Sequence, residues 1–313
     1  MRIVFMGTPE FAVPSLDALL HSEHTVVGVV TQPDRPKGRG GVLTPSPVKT
    51  ICQREQIAFL QPLKMKDPDF LEALQAWKPD LIAVAAFGRI LPPAILEMPP
   101  RGCINVHGSL LPKYRGAGPI QWAIINGERE TGITTMLMDA GMDTGDILLQ
   151  ERLPIGPEDT AGTLSSKLAE VGGRLLLKTI RGLNAGTVVP RPQDHTQATM
   201  APLLKKEDGA IDWTLPAITI AHRIRGLSPW PGAYTYAGEE RWIICRAVPI
   251  NADAETKETP PGMVVTITKD AMVVSTGQGL LAITEIQPAN SRRMSMQSYV
   301  AGHPLPAGLV LTS

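Results

Sequence analysis

Residues 104–147 read INVHGSLLPKYRGAGPIQWAIINGERETGITTMLMDAGMDTGDI. A short apolar run, Gly102–Val106, delivers Asn105 and His107. A strand has a period of two, so these side chains share one face. The turn after them, Ser109–Pro112 and then Arg115-Gly116-Ala117-Gly118-Pro119, can present backbone N–H groups ahead of a helix over Ile120–Asn126. A second apolar run, Ile133–Met138, leads to Asp143 inside the tight acidic loop Asp139–Asp146. Polar groups at the ends of apolar strands, framed by glycine, are where α/β folds place their chemistry. A lone histidine is more often a structural group. The case for His107 rests on its pairing with Asn105, on Gly108 and on the loop that follows.

Upstream the pattern is βαβ. Ile3–Met6 is a continuous apolar run ending in Gly7, as in a buried parallel strand. Thr8 can cap the next helix, with Pro9 and Glu10 suited to its first turn. Val26–Thr31 is the second strand, Val48–Gln56 a helix, Ile57–Leu60 a strand and Asp67–Trp77 a helix. Asp80–Ala86 is almost wholly apolar and belongs in mid-sheet. It is followed by Phe87-Gly88-Arg89-Ile90-Leu91, which reads equally as an ordinary turn or as backbone approaching a flat ligand. Gly7 does not open a GxGxxG, so a dinucleotide fingerprint is absent.

The segment Gln32–Pro47, QPDRPKGRGGVLTPSP, is dense in proline and glycine and is expected to lack regular structure. Arg35, Lys37 and Arg39 outweigh Asp34 in it. Two readings stand: a solvated surface loop, or a basic arm that grips phosphate.

Downstream, Ile147–Ile155 reads as a strand pointing away from the core, and Thr163–Leu183 as a long amphipathic helix. A polar connector follows. From there short β-like runs recur between glycines, at Arg241–Val248, Gly262–Thr268, Ala271–Thr276 and Leu280–Ile286, which suggests a small antiparallel sheet or barrel. The division expected is a first domain over 1–189, a linker over 190–208 and a second domain over 209–313.

The bulk properties agree with a two-domain α/β chain. It has 313 residues, is 43% hydrophobic and balances 30 basic against 30 acidic residues. No net charge marks a nucleic-acid binder, so such a partner would need a local patch. Cys52, Cys103 and Cys245 are scattered and odd in number, which fits a reducing cytoplasm better than a disulfide scaffold. No apolar run reaches about 18 residues, so no membrane span is expected. No HExxH, GxxxxGK[ST] or DxDxDG occurs, and no metal is expected.

Asn105-x-His107, the following SLLPKYRGAGPIQWAIINGE, and Asp143 in MDTGDI together resemble the 10-formyltetrahydrofolate-dependent formyltransferases. GTPEFAVPSLDALL, TQPDRPKGRGGVLTPSPVK, KKEDGAIDW and Leu227-Ser228-Pro229-Trp230-Pro231 extend the likeness end to end. They point to the branch whose acceptor is the α-amino group of methionyl-initiator tRNA. The resemblance implies a Rossmann-like formyltransferase domain with a mostly parallel sheet, then a C-terminal OB-like β-barrel. It implies 10-formyltetrahydrofolate as co-substrate, with Asn105, His107 and Asp143 as the catalytic set. Phe87, Gly88, Arg89, Ile90, Leu91 and Asp139 would line the pterin pocket, with Ser109, Leu110, Leu111 and Pro112 as the adjacent folate turn. For the tRNA it implies Arg35, Lys37 and Arg39, then Lys205, Lys206, Arg292 and Arg293. The family commonly shows Gly-Lys-Lys near the last pair, where this chain reads Pro288-Ala289-Asn290-Ser291-Arg292-Arg293. A monomer is expected. An amino-sugar-nucleotide formyltransferase would share the catalytic stretch, but the basic arm and the tail disfavour it. A purine-pathway formyltransferase would leave the C-terminal hundred or so residues unexplained. A non-catalytic RNA-binding module would have no reason to retain all three polar residues.

Overall fold

A computed structural model of the chain describes residues 1–37, 41–250, 259–306 and 308–313. Its contacts group into two compact units. The first comprises Met1–Pro119, Glu130–Pro154 and Leu164–Pro202; the second comprises Ile120–Arg129, Ile155–Thr163 and Leu203–Ser313. Two short segments from within the first 189 residues thus group with the second unit, although no change in composition marks them.

The elements up to residue 184 are β1 (Arg2–Gly7), α1 (Val13–Leu20), β2 (Thr25–Val30), β3 (Arg35–Lys37), β4 (Val42–Thr44), α2 (Pro47–Arg54), β5 (Phe59–Leu60), α3 (Pro68–Ala76), β6 (Leu81–Ala85), α4 (Pro93–Leu96), β7 (Cys103–His107), α5 (Pro119–Ile125), β8 (Glu130–Leu137), β9 (Ile147–Pro154) and α6 (Ala161–Asn184). Seven strands form one sheet in the order β5-β2-β1-β6-β7-β8-β9. The five from β5 to β7 are parallel. β8 and β9 extend the sheet antiparallel. The apolar runs of β1 and β6 sit in its middle with every residue from Ile3 to Met6 and from Leu81 to Ala85 buried, as strands covered on both faces require. β9 is an edge strand, and its later residues alternate between half-buried and exposed.

From β1 the chain runs to β2 and β5 on one side, then crosses to β6 and β7 on the other. The crevice at such a reversal, outside the carboxyl ends of the strands, is where open α/β sheets hold ligands. Hydrogen bonds tie those ends together. Gln32 Nε2 donates to Phe87 O at 2.8 Å, and Gln32 N donates to Thr8 Oγ1 at 3.3 Å. Thr8 does not cap a helix as its position suggests; its hydroxyl donates to Phe87 O at 3.3 Å, and a 3₁₀ turn at Glu10–Ala12 follows Pro9 before α1 begins.

α6 carries two adjacent glycines mid-helix, each costing about 1 kcal/mol relative to Ala. Packing explains them. A Cβ on Gly172 would lie 2.9 Å from Val106 Cγ1, and one on Gly173 would lie 2.6 Å from Pro14 O. The helix therefore presses on β7 at the residue between Asn105 and His107.

The stretch Gln32–Pro47 is not irregular throughout. β3 and β4 pair as an isolated antiparallel ribbon, with Pro36 opposite Leu43. Proline is tolerated because a two-stranded ribbon has only edge strands, whose outward N–H positions need no partner.

The second unit contains α7 (Ala217–Gly226), β10 (Ala233–Ala237), β11 (Glu240–Ile250), β12 (Val264–Ile267), β13 (Met272–Ser275), β14 (Leu280–Pro288), β15 (Met294–Ser295), α8 (Met296–Gly302) and β16 (Leu311–Thr312). Its strands are antiparallel in the order β12-β13-β14-β11-β10-β16, with β15 on β14. Leu311 N donates to Gly262 O at 2.7 Å and Val264 N to Leu309 O at 2.9 Å, which joins the two outer strands and curls the sheet round its core. That core packs Trp242, Trp213, Ile220, Ile224, Met272 and Ile283. The four runs expected to be strands are β11 to β14.

Among the described residues, no helix is long and apolar enough to cross a membrane. None of their His, Cys, Asp and Glu side chains group in threes that could hold a metal ion.

Candidate active site

β7 ends at the carboxyl edge of the sheet beside β6, with Asn105 opposite Val84 and Met136. The strand period places Asn105 and His107 on one face. His107 is 5% exposed, and its Nε2 lies 2.9 Å from Tyr114 O. A carbonyl only accepts, so this contact places a proton on Nε2. The other ring nitrogen, Nδ1, faces Asp143 Oδ2 at 3.6 Å. That is beyond hydrogen-bond length but within ion-pair range. Asp143 Oδ2 also accepts from Gly116 N at 2.8 Å. The half-buried Asn105 carboxamide has no hydrogen-bond partner among the described residues. The site thus joins a free amide, an imidazole fixed at one nitrogen and a carboxylate at the other.

Two glycine-framed turns make this possible. Tyr114 and Gly116 take left-handed backbone conformations (φ +61° and +118°), and so does Asp143 (φ +53°). A Cβ on Gly116 would lie 2.7 Å from Ala201 O. The glycine therefore lets its N–H reach the carboxylate while the backbone runs against residue 201.

The sequence reading missed the other half of the site, which comes from the polar connector. Tyr114 N donates to Thr199 Oγ1 at 2.9 Å, and Arg115 N to Thr199 O at 2.8 Å. Gln193 is 6% exposed; its Nε2 donates to Asp143 O at 2.9 Å and to Gly145 O at 2.7 Å. Its Oε1 accepts from Arg115 Nη2 at 2.7 Å and from Nε at 3.2 Å. The only local hint was an amide and a histidine in an otherwise solvated, proline-flanked run, which resembles any linker.

The folate candidates divide. Gly88 is left-handed (φ +74°) and exposed, while Phe87 and Leu91 are buried. Ile90 is 81% exposed, and Arg89 Nη1 is spent on Leu63 O at 3.0 Å. The turn Ser109–Pro112 is pinned by Thr134, whose hydroxyl donates to Ser109 O at 2.7 Å and accepts from Leu111 N at 3.1 Å. Leu110 is half-buried. Asp139 shapes its own loop: its Oδ1 accepts from Thr144 Oγ1 at 2.7 Å and from Gly141 N at 3.0 Å. Burial pushes the Cys103 thiol up to about 12 and the Cys52 thiol up to about 11, which disfavours the thiolate at both positions.

The basic candidates fall in separate places. Arg35 stands on the β3–β4 ribbon, exposed, with Nη2 on Gln32 Oε1 at 2.7 Å. Asp34, at the root of the ribbon, is tied to Lys49 Nζ at 2.6 Å and to Gln61, which holds its carboxyl below the usual range. Lys37 is the last residue of β3. Arg39 lies outside the described residues. In the second unit Lys205, Lys206 and Arg292 are exposed. Arg293 is not free: its guanidinium pairs with Glu285. Asn290, two residues before Arg292, is left-handed (φ +59°), a conformation asparagine tolerates better than most residues.

Comparison with known proteins then matches the chain to two family models, "Formyl transferase" over residues 1–180 and "Formyl transferase, C-terminal domain" over residues 203–304. The methionyl-tRNA formyltransferase of Trichlorobacter lovleyi is 51% identical over 310 residues, which cover 99% of this chain and 96% of that one. A solved methionyl-tRNA formyltransferase from Clostridium thermocellum shares the fold with a TM-score of 0.55 at 20% identity, over 81% of this chain and 95% of that one. The N-formyltransferase of Helicobacter canadensis, solved with folinic acid and dTDP-3-aminofucose, aligns with a TM-score of 0.66 at 20% identity, over 93% and 99%. With two domain models in register and half of all residues shared end to end, this chain belongs to the formyl transferase family, within its methionyl-tRNA formyltransferase branch.

Proposed function

We propose that this chain transfers the formyl group of 10-formyltetrahydrofolate to the α-amino group of methionyl-initiator tRNA, using Asn105, His107 and Asp143. The observation that carries the assignment of roles is His107 Nδ1 facing Asp143 Oδ2 at 3.6 Å beside an uncommitted Asn105 carboxamide. The amine attacks the formyl carbon, the carbonyl oxygen becomes an oxyanion, and the bond to the folate nitrogen then breaks. Asn105 donates to the oxyanion, the kind of donor whose removal costs roughly 10²- to 10³-fold in turnover. The attacking amine loses one proton and the folate N10 gains one, so no net acid or base is consumed. His107 moves that proton through Nδ1, because Nε2 is held by Tyr114 O. Asp143 stabilises charge on the ring and orients it.

In this reading the pterin lies against Phe87–Leu91 and the loop from Asp139 to Asp143, and Ser109–Pro112 forms the next part of the folate site. Since Thr144 and Gly141 N already engage the Asp139 carboxylate, recognition at that loop falls mainly to backbone. The basic segment that carries Arg35, Lys37 and Arg39 grips the acceptor stem. Residues 209–313 form an OB-type barrel that carries the rest of the tRNA with Arg292, aided by Lys205 and Lys206 from the connector 190–208. Arg293 contributes less because Glu285 neutralises it. The protein works as a cytoplasmic monomer and uses no metal.

The test is formylation. Purified protein with 10-formyltetrahydrofolate is offered charged initiator tRNA, free methionine and a dTDP-amino sugar in separate reactions. Product from the tRNA alone is expected. Product from the sugar nucleotide and none from the tRNA would replace this reading with the amino-sugar one.

A further inference from the structure

We infer that Gln193 is a positioning residue for Asp143, linking its backbone to the turn that binds its carboxylate. Asp143 sits in a left-handed conformation (φ +53°), which a non-glycine residue adopts only where its surroundings hold it there. Gln193 Nε2 does so by donating to Asp143 O at 2.9 Å and Gly145 O at 2.7 Å, using both of its hydrogens. Its Oε1 takes two hydrogen bonds from Arg115, at 2.7 and 3.2 Å. The residue after Arg115 is Gly116, whose N–H returns to Asp143 Oδ2 at 2.8 Å. The result is a closed ring in which one carboxamide sets both the backbone and the carboxylate of Asp143.

Three features support the role. Gln193 is 6% exposed and Arg115 7%, so water does not compete for these bonds. Arg115 makes no ion pair among the described residues; its guanidinium rests on Gln193 Oε1 and on His195 Nδ1 at 2.9 Å. A carboxylate there would draw Arg115 toward itself, whereas a neutral amide orients it without that pull. Finally, the chemistry needs an amide: glutamate accepts but cannot donate to the two carbonyls, and leucine does neither.

The inference rests on the proposed role of Asp143 and is tested on the full chain with Gln193→Leu and Gln193→Glu, alone and combined with Asp143→Asn. Each Gln193 variant is expected to lower kcat by about 10- to 100-fold, the scale of a misplaced catalytic group. KM for both substrates should stay within about threefold and folate-binding stoichiometry should not change. Because Gln193 acts through Asp143, Gln193→Leu should cost nothing further in the Asp143→Asn background. Multiplicative losses in the double variant, or a loss of turnover matched by lost folate stoichiometry, would overturn the role and leave Gln193 a fold-supporting residue. If the wild-type protein formylates nothing, the proposed function fails instead. The positioning claim is then read from amide hydrogen exchange: Gly116 N–H should exchange at least about tenfold faster in Gln193→Leu, and unchanged protection would sink it.

Discussion

Replacing Asp143 by asparagine keeps the shape of the side chain and removes only its charge. The carboxamide oxygen can still accept from Gly116 N at the 2.8 Å now seen, so the loop should keep its conformation. What is lost is the attraction between Oδ2 and His107 Nδ1 across 3.6 Å whenever Nδ1 takes up the second proton during transfer and the ring becomes a cation. At that distance two unit charges interact by about 1 kcal/mol in the dielectric of water and by about 4–5 kcal/mol at an effective dielectric of about 20. His107 is 5% and Asp143 18% exposed, so the true value lies between these limits. With about 1.4 kcal/mol per decade, that is a loss between about tenfold and about 10³-fold in kcat, centred near 10²-fold. The assay is steady-state formylation of methionyl-tRNA at saturating folate, alongside melting and folate-binding measurements to confirm an intact fold. A kcat within threefold of wild type would refute the electrostatic role. So would a loss expressed wholly in KM for the tRNA, since charge beside the reacting atoms should act on the transition state rather than on binding.

Gly116→Ala should do more damage than its one added methyl suggests. It must adopt φ +118° and place Cβ 2.7 Å from Ala201 O, costing about 2–4 kcal/mol, and it should lower both the melting temperature and kcat; a variant equal to wild type in both would remove Gly116 from the site. Arg35→Ala and Arg39→Ala should each raise KM for tRNA and flatten its salt dependence while leaving folate binding unchanged; identical tRNA kinetics would return the β3–β4 ribbon to a plain surface feature. At high pH the second unit should weaken through Tyr299. Burial, and then Glu240 beside its hydroxyl, push it from 10.0 up to about 12, so the neutral form is favoured in the folded chain. That stabilisation is complete below about pH 10 and is lost as pH rises to about 12. The melting temperature should therefore fall more steeply across this window in wild type than in Tyr299→Phe, and parallel curves would refute it.

Much of the first unit was legible because its code is local. β1 and β6 are unbroken apolar runs, and no other environment than mid-sheet suits them. α6 repeats its apolar residues at helical spacing and was read to within two residues at its start. The β3–β4 ribbon was not legible, because proline and glycine signal only that the chain can turn and say nothing of which residues pair. Thr8 shows a different failure. A threonine before a proline has the right chemistry for a cap, but its hydroxyl found a carbonyl 79 residues away on another strand end.

Asn105, His107 and Asp143 stand out in the sequence as candidates because each stands in a glycine-framed setting at the end of an apolar run, and because the family motif covers all three. Which nitrogen of His107 faces Asp143, and what holds Asp143 in place, could not. Those answers depend on Tyr114 O, Gly116 N and Gln193, groups whose local sequence is that of ordinary turns and a linker. Local pattern determines strands, helices and the residue types available for chemistry, because periodicity and backbone preference act over a few positions. Hydrogen-bond partners 80 or more residues apart, such as Arg115 and His195, are chosen only when the folded backbone brings them within 3 Å, and no short-range rule encodes that meeting.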